Sequence, residues 1–117
     1  ANFNTLDQYL KEEDLDKTLF LIDIEGDEYD LLNKTNIKKY KKSFFIIEDH
    51  FFYDNKNKRD DFYELIKTNF NVNLIRNSSR DPFNFKILDD LSDDDKWLLM
   101  GEGRPKSMNW IILTPLR

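Results

Sequence analysis

Residues Leu19 to Leu32 read LFLIDIEGDEYDLL. The stretch opens on four apolar residues, Leu19, Phe20, Leu21 and Ile22, and runs straight into carboxylates. An unbroken apolar run of this kind predicts a strand buried on both faces, as in a parallel sheet. Gly26 supplies a pivot. From Asp27 the pattern turns helical: Asp27, Glu28 and Asp30 suit the positive end of a helix dipole, and Leu31 and Leu32 can face a sheet. Ligands of open α/β sheets bind beyond the carboxyl ends of the strands, so Asp23, Glu25 and Glu28 stand where chemistry is expected. A second stretch repeats the form. Ser43 to His50, SFFIIEDH, is again an apolar run that ends in acids, now with a histidine. The separation between the two leaves room for one helical crossover, which predicts a parallel pair joined with the usual right hand.

Outward from that pair, Thr5 to Leu15 reads as a short helix with Thr5 as N-cap and Leu6, Tyr9 and Leu10 on one face. The helix after Gly26 breaks near Asn33 and restarts around Thr35, carrying Ile37 and Tyr40 inward. Asp60 to Phe70 is amphipathic, with Phe62, Leu65, Ile66 and Phe70 on one side. Val72 to Arg76 is a third strand. Ser92 caps a short helix that holds Asp93, Asp94 and Asp95 in its first turn, Trp97 and Leu98 in its body, and stops at Gly101. Met108 to Thr114 is the last strand, ended by Pro115. A βαβαβ run with a late strand predicts one α/β domain over residues 1–117. Its expected form is a truncated Rossmann-like three-layer unit of about four strands, mostly parallel with the last antiparallel, flanked by helices. The first strand would keep a free outer edge, a hazard for any sheet. The N-terminal segment, a second copy or a missing N-terminal half has to close it.

Composition narrows the function classes. The chain is 39% hydrophobic and 15% aromatic and carries a net charge of −5. The longest basic cluster, Lys38 to Lys42, is a solvated helix end interrupted by Tyr40, so no cationic stripe suits a nucleic acid. There is no cysteine, which excludes disulfides and thiolate metal sites and fits the cytoplasm. No apolar run approaches the roughly 20 residues of a membrane span, and no leader-like segment is visible.

TLDQYL (Thr5–Leu10), LIDIEGDEYDLL (Leu21–Leu32) and FIIEDH (Phe45–His50), in that order and spacing, resemble the later half of the FkbM family of S-adenosylmethionine-dependent methyltransferases. The resemblance covers about the first half of the chain and rests on Asp23, Glu25, Gly26 and Glu28. It implies strands four to seven of a Rossmann-like methyltransferase domain, without strands one to three. Such enzymes hold S-adenosylmethionine with a glycine-rich turn after strand one and an acid ending strand two. This chain has only three glycines, Gly26, Gly101 and Gly103, and Gly101-Glu102-Gly103 follows a helix and precedes a Pro-containing loop, the wrong context for a phosphate or nucleoside loop. The isolated chain is therefore expected to bind the cofactor poorly and to be inactive alone.

The candidate catalytic residues are His50, Asp23 and Glu25, and the candidate acceptor-binding residues are Glu28, Glu48, Asp49 and Arg104. His50 has the titration range of a general base for a hydroxyl acceptor, against a plainer role as a loop histidine bonded to backbone. Asp23, Glu25 and Glu28 can orient a hydroxyl or hold a divalent metal through hard oxygen ligands, against a plainer role at a helix start. No ligand spacing diagnoses a metal. Arg104 suits an anionic group, or a surface salt bridge. Trp97 and Trp110 read as core rather than as an acceptor pocket. Two functions from different classes follow. One is the acceptor side of an O-methyltransferase acting on a hydroxyl of a sugar, polyketide or glycan. The other is a non-catalytic α/β domain that forms a homodimer through its exposed strand edge.

Overall fold

A computed structural model describes residues 8–50, 56–78, 80–101 and 108–116. Its centre is a four-stranded mixed sheet. The strands are β1 (Leu19–Ile22), β2 (Phe44–Asp49), β3 (Phe70–Arg76) and β4 (Asn109–Pro115), in the order β1-β2-β4-β3. β1 and β2 are parallel, with Phe20 beside Phe45 and Ile22 beside Ile47. β4 runs antiparallel to both of its neighbours, pairing Phe45 with Leu113 and Val72 with the same leucine. Three strands thus point one way, and the late strand is inserted against them. The helices are α1 (Glu28–Leu31), α2 (Ile37–Tyr40), α3 (Lys56–Asn69) and α4 (Asp93–Met100). The break at Asn33 is observed: Asn33 and Asn36 bond each other's backbone, and the Asn36 amide donates to the Leu31 carbonyl at 2.8 Å.

The core lies on one face of the sheet. Phe20, Ile22, Phe45, Ile47, Phe70, Ile111 and Leu113 present it, and Tyr29, Ile37, Tyr40, Phe62 and Ile66 cover it from α1, α2 and α3. Aromatic contacts bind the layers. Phe20 stacks on Phe45 at 4.9 Å between centroids and meets Tyr40 edge-on at 5.6 Å, while Phe45 meets Phe70 at 5.5 Å. Each such side chain contributes about 1.5–3 kcal/mol by leaving water.

The opposite face is exposed along β1 and at the start of β2, and buried at the end of β2. Leu19 and Leu21 are 57% and 69% exposed, and Phe44 and Ile75 on the same side are exposed too. The expectation that β1 is buried on both faces is therefore corrected, and among the described residues the helices that pack on the core cluster, α1, α2 and α3, lie on one face. Chain geometry supplies the reason. The crossovers β1→β2 and β2→β3 step across the sheet in one direction. Two right-handed crossovers in one direction deliver their helices to one face. The remaining helix, α4, is capped by Ser92, whose hydroxyl accepts from the Asp95 amide, and ends at Gly101 as expected. None of its residues is buried. Trp97, expected in the core, is exposed and stands edge-on to Phe83, and Trp110 is half-buried on the opposite face.

The N-terminal helix is also corrected. Thr5, Leu6 and Asp7 lie outside the described residues. Residues 8–10 make a turn, and the helical segment is a 3-10 stretch, Glu12–Lys17, that buries Leu15 alone. Four acids crowd it, and Glu12 and Asp16 would repel each other one α-turn apart. Ser43 anchors this segment by donating its buried hydroxyl to the Leu15 carbonyl at 2.6 Å.

Candidate functional site

β1 and β2 end side by side and point the same way, so their carboxyl ends share one edge. Side chains alternate between faces along a strand. On β2 that sends Glu48, and His50 just beyond it, toward the face opposite the core, and Asp49 toward the helices. Past β1 the chain turns sharply. Glu25 adopts a left-handed backbone, with φ 55°, and Gly26 follows at φ 109°. Only glycine takes the second of these readily. The turn holds Asp23 and Glu25 against the end of β2 and starts α1, which carries Glu28.

His50 is the centre of the site and is fully buried. Its Nδ1 bonds the buried carboxylate of Glu28. Its Nε2 lies 3.5 Å from an oxygen of each of Asp23, Glu25 and Glu48. Glu28 and Glu48 are buried, while the side chains of Asp23 and Glu25 are 49% and 71% exposed. Four carboxylates thus surround one imidazole, two beneath the surface and two at the mouth. Carboxylates that close repel one another strongly away from bulk water. The arrangement suits a partner that is positively charged or donates hydrogen bonds.

Asp49 belongs to a different network. It accepts from the hydroxyls of Tyr29 and Tyr63, the latter at 2.9 Å, and from the Arg59 guanidinium at 2.8 Å. Burial, and then the adjoining Asp49 carboxylate, pushes both phenols well above their usual range, and the hydrogen bond to Asp49 holds the Arg59 guanidinium charged. With three donors in place, Asp49 bolts α1 and α3 to β2. Of the residues expected at the site, Asp23, Glu25, Glu28, Glu48 and His50 converge. Asp49 points to the other face, and Arg104 lies outside the described residues. Tyr29, Arg59 and Tyr63 were not foreseen as partners of Asp49. The alternation of β2 and the i, i+4 spacing of Arg59 and Tyr63 on one helix are the signals that would have found them.

Comparison with known protein families, characterised proteins and solved structures finds no match to this chain.

Proposed function

We propose that this chain is the acceptor-side part of a methyltransferase resembling the FkbM family, and that it receives a hydroxyl-bearing small molecule or glycan. The observation that carries the reading is the convergence of Asp23, Glu25, Glu48 and His50 beyond the carboxyl ends of two adjacent parallel strands, the place where open α/β sheets bind ligands. Two features of the sheet support it. β1, β2 and β3 step outward in sequence order, as the later strands of a doubly wound sheet do. In such a sheet the other face is covered by crossovers from the earlier strands, and here Leu19, Leu21 and Phe44 on that face are exposed.

The described residues do not make a cradle for S-adenosylmethionine. Gly26 sits between acids, and Gly101 closes α4 with its amide on the Trp97 and Leu98 carbonyls. Neither opens a nucleoside loop after a strand, and no step is assigned to the cofactor here. What the chain's own residues can do is receive and orient the acceptor. Asp23 and Glu25, at the mouth, accept hydrogen bonds from hydroxyls. His50 lies behind them and takes an acceptor proton only by way of these carboxylates, in the manner of a positioned acid–base pair.

The test is a spectral titration of the chain with a methyl glycoside as hydroxyl-bearing probe. Saturable shifts confined to residues 23–28 and 48–50, lost in Glu25→Gln, support the reading. Absence of shifts there, or shifts indifferent to that substitution, would overturn it. A second reading, a non-catalytic domain that dimerises through β1, is favoured by the exposure of Leu19 and Leu21 beside a strand that pairs on one side only among the described residues. A dimeric mass that falls to monomer in Leu21→Lys would support it.

A further inference from the structure

The sequence shows no metal-ligand spacing, yet the fold assembles a ligand set. One oxygen each from Asp23 and Glu25 and a nitrogen of His50 all lie within 4.8 Å of one another. Two ligands about 2.1 Å from a common ion stand at most about 4.2 Å apart. The 3.5 Å separations from Nε2 already satisfy this, and the two exposed carboxylates need only a small inward turn to do the same.

Acidic clusters are common on surfaces, and this one has two further properties. The first is the orientation of the imidazole. The buried Glu28 carboxylate occupies Nδ1. An Nδ1–H donated to a carboxylate leaves the Nε2 lone pair directed at the other ligands, which is how proteins fix metal-binding histidines. In that tautomer Nε2 is an electron-pair donor that stands 3.5 Å from a carboxylate oxygen of each of Asp23, Glu25 and Glu48, an arrangement that a cation beside it stabilises. The second is Glu28 itself. Its other carboxylate oxygen is buried and has no hydrogen-bond partner among the described residues. A buried carboxylate left half-satisfied is costly, and a nearby positive charge offsets that cost.

We infer that Asp23, Glu25 and His50 bind a divalent cation at the carboxyl ends of β1 and β2, with Glu28 holding the imidazole. One imidazole with carboxylates is a mixed set of intermediate hardness. It suits manganese(II) better than calcium, which takes oxygen ligands, or copper(I), which prefers sulfur. The two exposed carboxylates leave open coordination positions toward solvent. The inference does not depend on the methyltransferase reading: a chain that takes manganese(II) and ignores the glycoside keeps this site and loses that reading.

The experiment is calorimetric titration of the chain with manganese(II) chloride, alongside spectra that follow the ring of the one histidine. A single saturable site is expected, with selective paramagnetic broadening of His50 and of the amides of Asp23 and Glu25. Asp23→Asn and Glu25→Gln, at exposed side chains, should each weaken binding at least ten-fold with folding intact. Glu28→Gln should weaken it roughly ten- to hundred-fold through the histidine. Asp89→Asn, on a distant acidic run, should change nothing. No binding at millimolar metal would overturn the assignment. So would binding that the Asp23 and Glu25 substitutions leave unaltered, or broadening centred on residues 89–95.

Discussion

The alternation of side chains at the end of β2 separates two chemistries one residue apart. Asp49 turns inward to three donors, and its loss is a loss of structure. Asp49→Ala leaves Tyr29 and Tyr63 hydroxyls and part of the Arg59 guanidinium without their acceptor, and we expect about 2–4 kcal/mol of destabilisation in urea unfolding. The same network sets an alkaline limit. Both phenols are raised above their ordinary value of 10.0 by burial and by Asp49. Above that pH the unfolded chain releases these protons and the folded chain keeps them. Stability is thus fully present below about pH 10 and falls as pH rises beyond it. Tyr63→Phe should flatten that alkaline fall, at the cost of about 1 kcal/mol for the lost hydrogen bond. Glu25 behaves in the opposite sense. Its left-handed backbone, φ 55°, costs about 1 kcal/mol for a residue with a Cβ. Glu25→Gly should stabilise the fold by about 0.5–1 kcal/mol in the same assay while removing one carboxylate from the proposed site. The acids and the histidine were legible from their place at strand ends. That Asp49 would leave them required the period of two, counted from Phe45 and Ile47.

Among the elements, those with an apolar stripe were the legible ones. α3 shows its Phe62 and Ile66 face, and β2 its continuous apolar run, because core burial imposes a period that the sequence has to keep. β1 misled because Leu19 and Leu21 look like buried residues. Nothing in four apolar residues says which face a helix will cover, since that depends on the direction in which the crossovers step. The position of β4 between β2 and β3 was hidden for a similar reason: pairing order is a property of the whole sheet. α4 is a helix held by its ends rather than by packing. Ser92→Ala removes the cap and costs the helix about 1 kcal/mol. With no buried residue in α4, that loss should appear as faster amide exchange over residues 93–100 and leave the midpoint of global unfolding unchanged.

Over its described residues the molecule has one sheet, with α1, α2 and α3 on its core face and apolar side chains exposed. Its radius of gyration is 17.7 Å, against about 13 Å for a compact domain of this length. Leu19, Leu21 and Phe44 on one sheet face, and Ile87, Leu98 and Leu99 in and before α4, are all exposed, and exposed apolar side chains side by side favour association. Lysine at position 21 should therefore reduce self-association in light scattering without lowering stability, because that side chain has no packing to lose. No helix among the described residues is long and apolar enough to cross a membrane. The proposed acceptor-side reading takes these strands as ones that hold no S-adenosylmethionine by themselves. The most direct test of that claim is calorimetric titration of the chain alone with S-adenosylmethionine. The account predicts no saturable binding. Saturable binding at micromolar concentration would contradict it, because the chain would then hold a complete cofactor pocket of its own.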